Sequence, residues 1–109
     1  MSYTRDYARQ EPTRAELDAG AGWQLVEFGA PWCPHCSGAQ LVVKEWLDAH
    51  ADIGHVKIED GKGRPAGRSY QVKLWPTLVL LRDGEEVARV VRPRQETDLA
   101  ALEQALQPT

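Results

Sequence analysis

Cys33 and Cys36 are the only cysteines in the chain and stand three positions apart, in the run Trp32-Cys33-Pro34-His35-Cys36. A pair at this spacing can close and reopen a disulfide, with one thiolate acting as nucleophile toward another disulfide. A zinc site commonly takes four ligands, and the remaining soft candidates, His35, His50 and His55, reproduce no zinc-finger spacing. An iron–sulfur cluster needs four thiolates or a second subunit. Redox exchange needs only the pair itself, and two cysteines are too few for a disulfide scaffold.

The segments around the pair must position it. Residues 23–28, WQLVEF, are β-branched and aromatic and read as a strand; Gly29, Ala30 and Pro31 break it. Beyond the cysteines, Ala39, Val42, Val43, Trp46, Leu47 and His50 recur at helical spacing. Cys33 is therefore expected at a helix N-terminus, where unpaired N–H groups favour an anion and lower a thiol's pKa. Cys36 falls one turn further along, where it is covered. The expected division of labour is attack by Cys33 and resolution by Cys36.

Elsewhere, Thr13 and Glu16 have capping-box spacing, which predicts a short helix ending near Gly20 and Gly22. Residues 53–58 read as a second strand. Residues 59–70 read as a loop with a short helix near 68–70. Residues 77–82 and 86–91 read as a hairpin about Asp83-Gly84, and 96–106 as an amphipathic helix. Strands alternating with helices predict an α/β fold, a mixed sheet with helices on both faces. Residues 1–12 are expected to be an N-terminal arm or short edge strand, and 13–109 a single domain.

The chain's 109 residues suit one domain, and 42% hydrophobic with 27% charged residues is a globular composition. A net charge of -3 gives no nucleic-acid footprint. No apolar stretch is long enough to span a membrane. The first residues, MSYTRDYARQEP, lack the apolar region of a secretory signal, so the cytoplasm is the expected location. Lys62, Arg64 and Arg68 are read as a solvated loop, and His50 and His55 as ordinary residues.

The stretches LVEFGAPWCPHC (25–36) and WPTLVLLRDGEEVARVV (75–91) closely resemble the thioredoxin family. The resemblance implies a thioredoxin-like fold and thiol–disulfide exchange without a bound cofactor or metal. It implies that Pro76 is a cis-proline packed against the cysteines, with the backbone at Trp75 open to an extended peptide. It implies that Glu27 is a buried acid moving a proton to and from Cys36, with Lys57 beside it. Trp32, Trp75 and Arg92 would line the substrate groove, and His35 with Pro34 would tune Cys33. Several positions depart from the pattern: the family usually has aspartate at Glu27, tryptophan at Gly29, a small or aliphatic residue at Trp75, and often glycine at Arg92. Pro34-His35 replaces glycine–proline and resembles oxidising, periplasmic DsbA-type enzymes, whose helical insertion this chain is too short to hold.

The expected function is thus reduction of protein or peptide disulfides by a monomer, recharged by a thioredoxin-reductase-like or other dithiol donor. The alternatives are a disulfide oxidant of the same fold, a redox-gated protein-binding module, and a metal or cluster site shared between subunits.

Overall fold

The computed structural model describes residues 2–107. Its elements are α1 (Arg14–Asp18), β1 (Trp23–Gly29), α2 (Pro34–Asp48), β2 (Gly54–Glu59), α3 (Pro65–Ser69), β3 (Thr77–Arg82), β4 (Glu85–Val91), a 3-10 turn (Glu96–Leu99) and α4 (Ala100–Leu106). One four-stranded sheet has the order β2-β1-β3-β4. β1 pairs parallel with β2 and antiparallel with β3, and β3 pairs antiparallel with β4. This is the mixed sheet of a thioredoxin-like α/β fold.

Alternation along the strands divides the core in two. Leu25, Leu78 and Leu80 point to the face covered by α2 and α4, where they meet Val43, Trp46, Leu47 and Leu102. Val26, Phe28, Val79 and Leu81 point to the other face and meet Leu17 of α1 with Ala66 and Tyr70 at α3. Complete burial of a leucine such as Leu25 or Leu47 stabilises the fold by about 1.5–3 kcal/mol. With β1 and β3 covered on both faces, the central strands read as unbroken apolar runs.

Local signals act where expected. Thr13 and Glu16 close a reciprocal capping box on α1. Asp83 and Gly84 both have positive φ, 50° and 83°, the backbone of a two-residue hairpin turn. The turn is tied down by Asp83, whose Oδ1 accepts from the Gly22 N–H at 2.7 Å. Several boundaries differ from the sequence reading, among them β2, shifted by one residue, and residues 96–106, which divide into a 3-10 turn and α4. The helix placed near residues 68–70 begins at Pro65, a residue suited to a first helical turn. α2 ends at Asp48, so His50 lies beyond it and stacks on Trp46, with ring centroids 4.4 Å apart.

Residues 2–12 form neither helix nor strand but are laid along the outer edge of β2. The Ala8 N–H donates to the Lys57 carbonyl at 2.8 Å, and the Thr4 hydroxyl donates to the His55 carbonyl at 2.9 Å. The segment thereby covers part of an otherwise open strand edge.

Candidate active site

Cys33 is the N-cap of α2, with Pro34 at the first helical turn. Its sulfur accepts the Cys36 amide N–H at 3.4 Å. Burial pushes the Cys33 thiol up. That effect is outweighed by hydrogen bonds from the Cys36 thiol and the Cys36 and His35 amides, with the Arg92 charge adding to them, so its pKa lies below the ordinary value. His35 and Pro34 are exposed, and His35 acts on Cys33 through its backbone N–H.

Cys36 is 2% exposed. Burial raises its thiol to about 11; the Ala30 amide and the Tyr7 hydroxyl draw it down, and the neighbouring Cys33 sulfur pushes it up. Both cysteines are free thiols. Two adjacent thiols are thus displaced in opposite directions, one toward the thiolate and one toward the protonated form.

Beneath the pair lies a polar cluster. Because side chains alternate, Leu25, Glu27 and Gly29 share the α2 face of the sheet with His55 and Lys57, and in register Glu27 stands beside Lys57 and Leu25 beside His55. Glu27 is fully buried, and both its oxygens are used. Oε1 lies 3.0 Å from His55 Nε2, and Oε2 accepts from Gln40 Nε2 at 2.8 Å. The Thr4 N–H donates to His55 Nδ1 at 2.8 Å. That nitrogen must therefore carry a lone pair, which leaves Nε2 as the N–H that donates to Glu27.

Lys57 reaches the acid only through Gln40. Its ammonium donates to Gln40 Oε1 at 3.0 Å and to the Arg5 carbonyl at 2.9 Å. Gln40 Nε2 also donates to the Cys36 carbonyl at 2.7 Å, so this one amide joins the acid, the lysine and the resolving cysteine's backbone.

Gly29 explains how the N-terminal segment enters the site. A Cβ there would stand 2.5 Å from the Cys36 sulfur and 3.1 Å from the Tyr7 hydroxyl. Without a side chain at Gly29, Tyr7 covers Cys36 from above, its ring 4.7 Å from the Lys57 ammonium. Burial, followed by the charges of Cys36 and Glu27, raises the Tyr7 pKa, so its hydroxyl keeps its proton and can donate it in a hydrogen bond. Tyr7, Gln40, Lys57 and Cys36 line one cleft of about 640 Å³.

At the rim, the Trp75–Pro76 peptide bond is cis, and Trp75 packs against Ala30, Cys33 and Cys36. Trp32 is 71% exposed and meets Trp75 edge to face, with centroids 5.3 Å apart. The Trp75 indole N–H donates to Asp60 Oδ2 at 2.8 Å. Arg92 follows β4 with φ 53°, and its Nε donates to the Trp75 carbonyl at 2.7 Å.

Trp75 thus packs on the cysteine pair with Trp32 against it, Glu27 and Lys57 lie beneath, and Arg92 stands at the rim; for Pro76 the structure gives the cis bond and a carbonyl that accepts the Arg92 N–H. Tyr7, Gln40 and His55 were missed. His55 had a signal: it precedes Lys57 by two residues on a strand, so it shares that lysine's face. Gln40 lies four residues after Cys36 on α2, one turn along the same helix face. Tyr7 sits in a polar segment with no motif, and only the missing side chain at Gly29 hinted at a replacement from elsewhere.

The sheet, the N-capping cysteine and the buried partner thiol together define a thioredoxin-fold protein with an apposed dithiol. The family profile described as Thioredoxin matches residues 8–105, and the chain belongs to the thioredoxin family. Among solved structures, thioredoxin 2 of Pseudomonas aeruginosa in its reduced form is 52% identical, with a TM-score of 0.84, and the alignment covers 94% of this chain and 96% of that one. A mutant thioredoxin of Halobacterium salinarum is 31% identical, with a TM-score of 0.69, over 91% and 89% of the two chains. Among curated relatives, Thioredoxin-2 of Pyricularia oryzae is 37% identical over 62% of this chain but only 39% of its own length. The chain thus spans well under half of that relative.

Proposed function

We propose that this protein is a thiol–disulfide oxidoreductase that reduces disulfides in proteins or peptides through a mixed disulfide on Cys33. The observation that carries the reading is the geometry of the pair: Cys33 caps the N-terminus of α2 and its sulfur accepts the Cys36 N–H at 3.4 Å, with Cys36 buried behind it. The Cys33 thiolate attacks a substrate disulfide, forming one S–S bond and releasing one substrate sulfur as a thiolate that takes up a proton. Cys36 then loses its proton and attacks the Cys33 sulfur. The second substrate thiolate leaves, and a Cys33–Cys36 disulfide remains. Two electrons have passed from the dithiol to the substrate, and a dithiol donor of the thioredoxin-reductase kind restores the enzyme.

In this reading, Glu27 accepts the Cys36 proton, with His55, Gln40 and Lys57 holding the acid in place. Trp32, Trp75 and Pro76 form the wall against which the substrate lies. The protein works as a monomer in a reducing compartment, the cytoplasm. The test is reduction of a peptide disulfide with a dithiol donor. The Cys36→Ser protein should accumulate a stable mixed disulfide on Cys33, and Cys33→Ser should do nothing. A Cys33→Ser protein that still reduced the peptide would overturn the reading.

One observation favours the opposite direction as a second reading. A Cys33 thiol held below its ordinary value stabilises the reduced form, which makes the disulfide the better oxidant. Equilibration in glutathione buffers separates the two. A potential near about -270 mV marks a reductant and one near about -120 mV an oxidant.

A further inference from the structure

Arg92 is a non-glycine residue in the left-handed region of backbone space, immediately after β4, with φ 53°. Such a conformation is unfavourable for a residue with a Cβ and persists where surrounding contacts hold it. Two contacts do so here: the Arg92 N–H donates to the Pro76 carbonyl at 2.8 Å and its Nε to the Trp75 carbonyl at 2.7 Å. The Trp75 carbonyl is the group an extended peptide would take for its own N–H when pairing beside Cys33. Arg92 supplies that donor in advance.

The same side chain lines a cleft of about 240 Å³ with Pro34, His35, Gly38, Pro93 and Arg94. Its charge reaches Cys33. Among the described residues, Arg92 and Arg94 make no ion pair with a carboxylate, as holds for most of the chain's basic side chains; what distinguishes Arg92 is its place beside Cys33. The Arg92 guanidinium thus stands without a carboxylate partner within electrostatic reach of the reactive cysteine, and Arg94 lines the same cleft.

We propose that Arg92, supported by Arg94 and His35, is a specificity-determining residue that selects disulfides flanked by a carboxylate side chain. The arginine fork suits a carboxylate, and the blocked Trp75 carbonyl weakens purely backbone pairing, so selectivity passes from strand addition to charge. This inference rests on the oxidoreductase reading and narrows its substrate class.

The test uses two peptide disulfides that differ only in Glu or Lys two residues from the cysteine. For the intact protein at low ionic strength, kcat/KM should favour the Glu peptide about tenfold and lose most of that preference in strong salt. In Arg92→Gly the ratio should fall to about twofold or less. Glycine relaxes the backbone at this φ, so the variant's thermal midpoint should not fall. Arg94→Glu, which leaves the Trp75 carbonyl bond in place, should also lower the ratio. A ratio near one in the intact protein, or one unchanged in Arg92→Gly, would overturn the assignment. So would an equal fall for both peptides, which would trace the effect to Cys33 alone. Failure to reduce either peptide would instead overturn the underlying reading, and this one with it.

Discussion

Replacing Tyr7 by phenylalanine removes one oxygen from above Cys36 and keeps the ring that faces Lys57. The hydroxyl is one of the groups that draws the Cys36 thiol down toward about 11, so its loss moves that thiol further up. A hydrogen bond to an ionised group is worth about 1.5–3 kcal/mol, and the half-buried position of Tyr7 argues for the low end. That corresponds to about one pK unit. The Cys36 thiolate fraction at neutral pH falls about tenfold, while the more basic sulfur becomes more nucleophilic with a coefficient of about 0.4–0.5. The net effect is a resolving step about three- to fourfold slower. Quenched single-turnover reactions with a chromogenic disulfide separate formation of the Cys33 mixed disulfide from its release. Formation should be unchanged and release slowed. If release kept its rate, or if both steps slowed together, Tyr7 would be only a cover for the site.

Two more outcomes are expected from the same geometry. Alkylation of the reduced protein against pH should show two phases. Cys33 reacts with a rate that rises with pH through a value below that of an ordinary thiol (about 8.5), and Cys36 responds only near about 11; a single phase at the ordinary value would refute the opposed thiols. His55→Ala leaves one oxygen of the buried Glu27 without its donor and should cost about 3 kcal/mol in urea unfolding, whereas a loss under about 1 kcal/mol would mean that water or Gln40 replaces the imidazole.

The reactive centre and its supporting elements were legible in the sequence because their signals are local. Cys-x-x-Cys spacing, the break at Gly29, the capping box at Thr13 and the Asp83-Gly84 turn each act within a few residues. Apolar periodicity marked α2 and the strands, whereas Glu27 was assigned through the resemblance to the thioredoxin family. Boundaries slipped where periodicity continues past a helix end, as at His50.

What the sequence by itself determined is therefore the chemistry: two thiols at the head of a helix behind a buried strand, in a mixed α/β frame. What only the tertiary structure decided is the company they keep. Tyr7 reaches Cys36, Thr4 sets the tautomer of His55, and Gln40 stands between Lys57 and Glu27. Arg92 caps a carbonyl 17 positions away. Each of these contacts joins segments whose separation along the chain has no periodic signature. They form because strand register and an arm laid along the sheet edge bring the segments within hydrogen-bonding distance, and burial makes an unpartnered polar group costly.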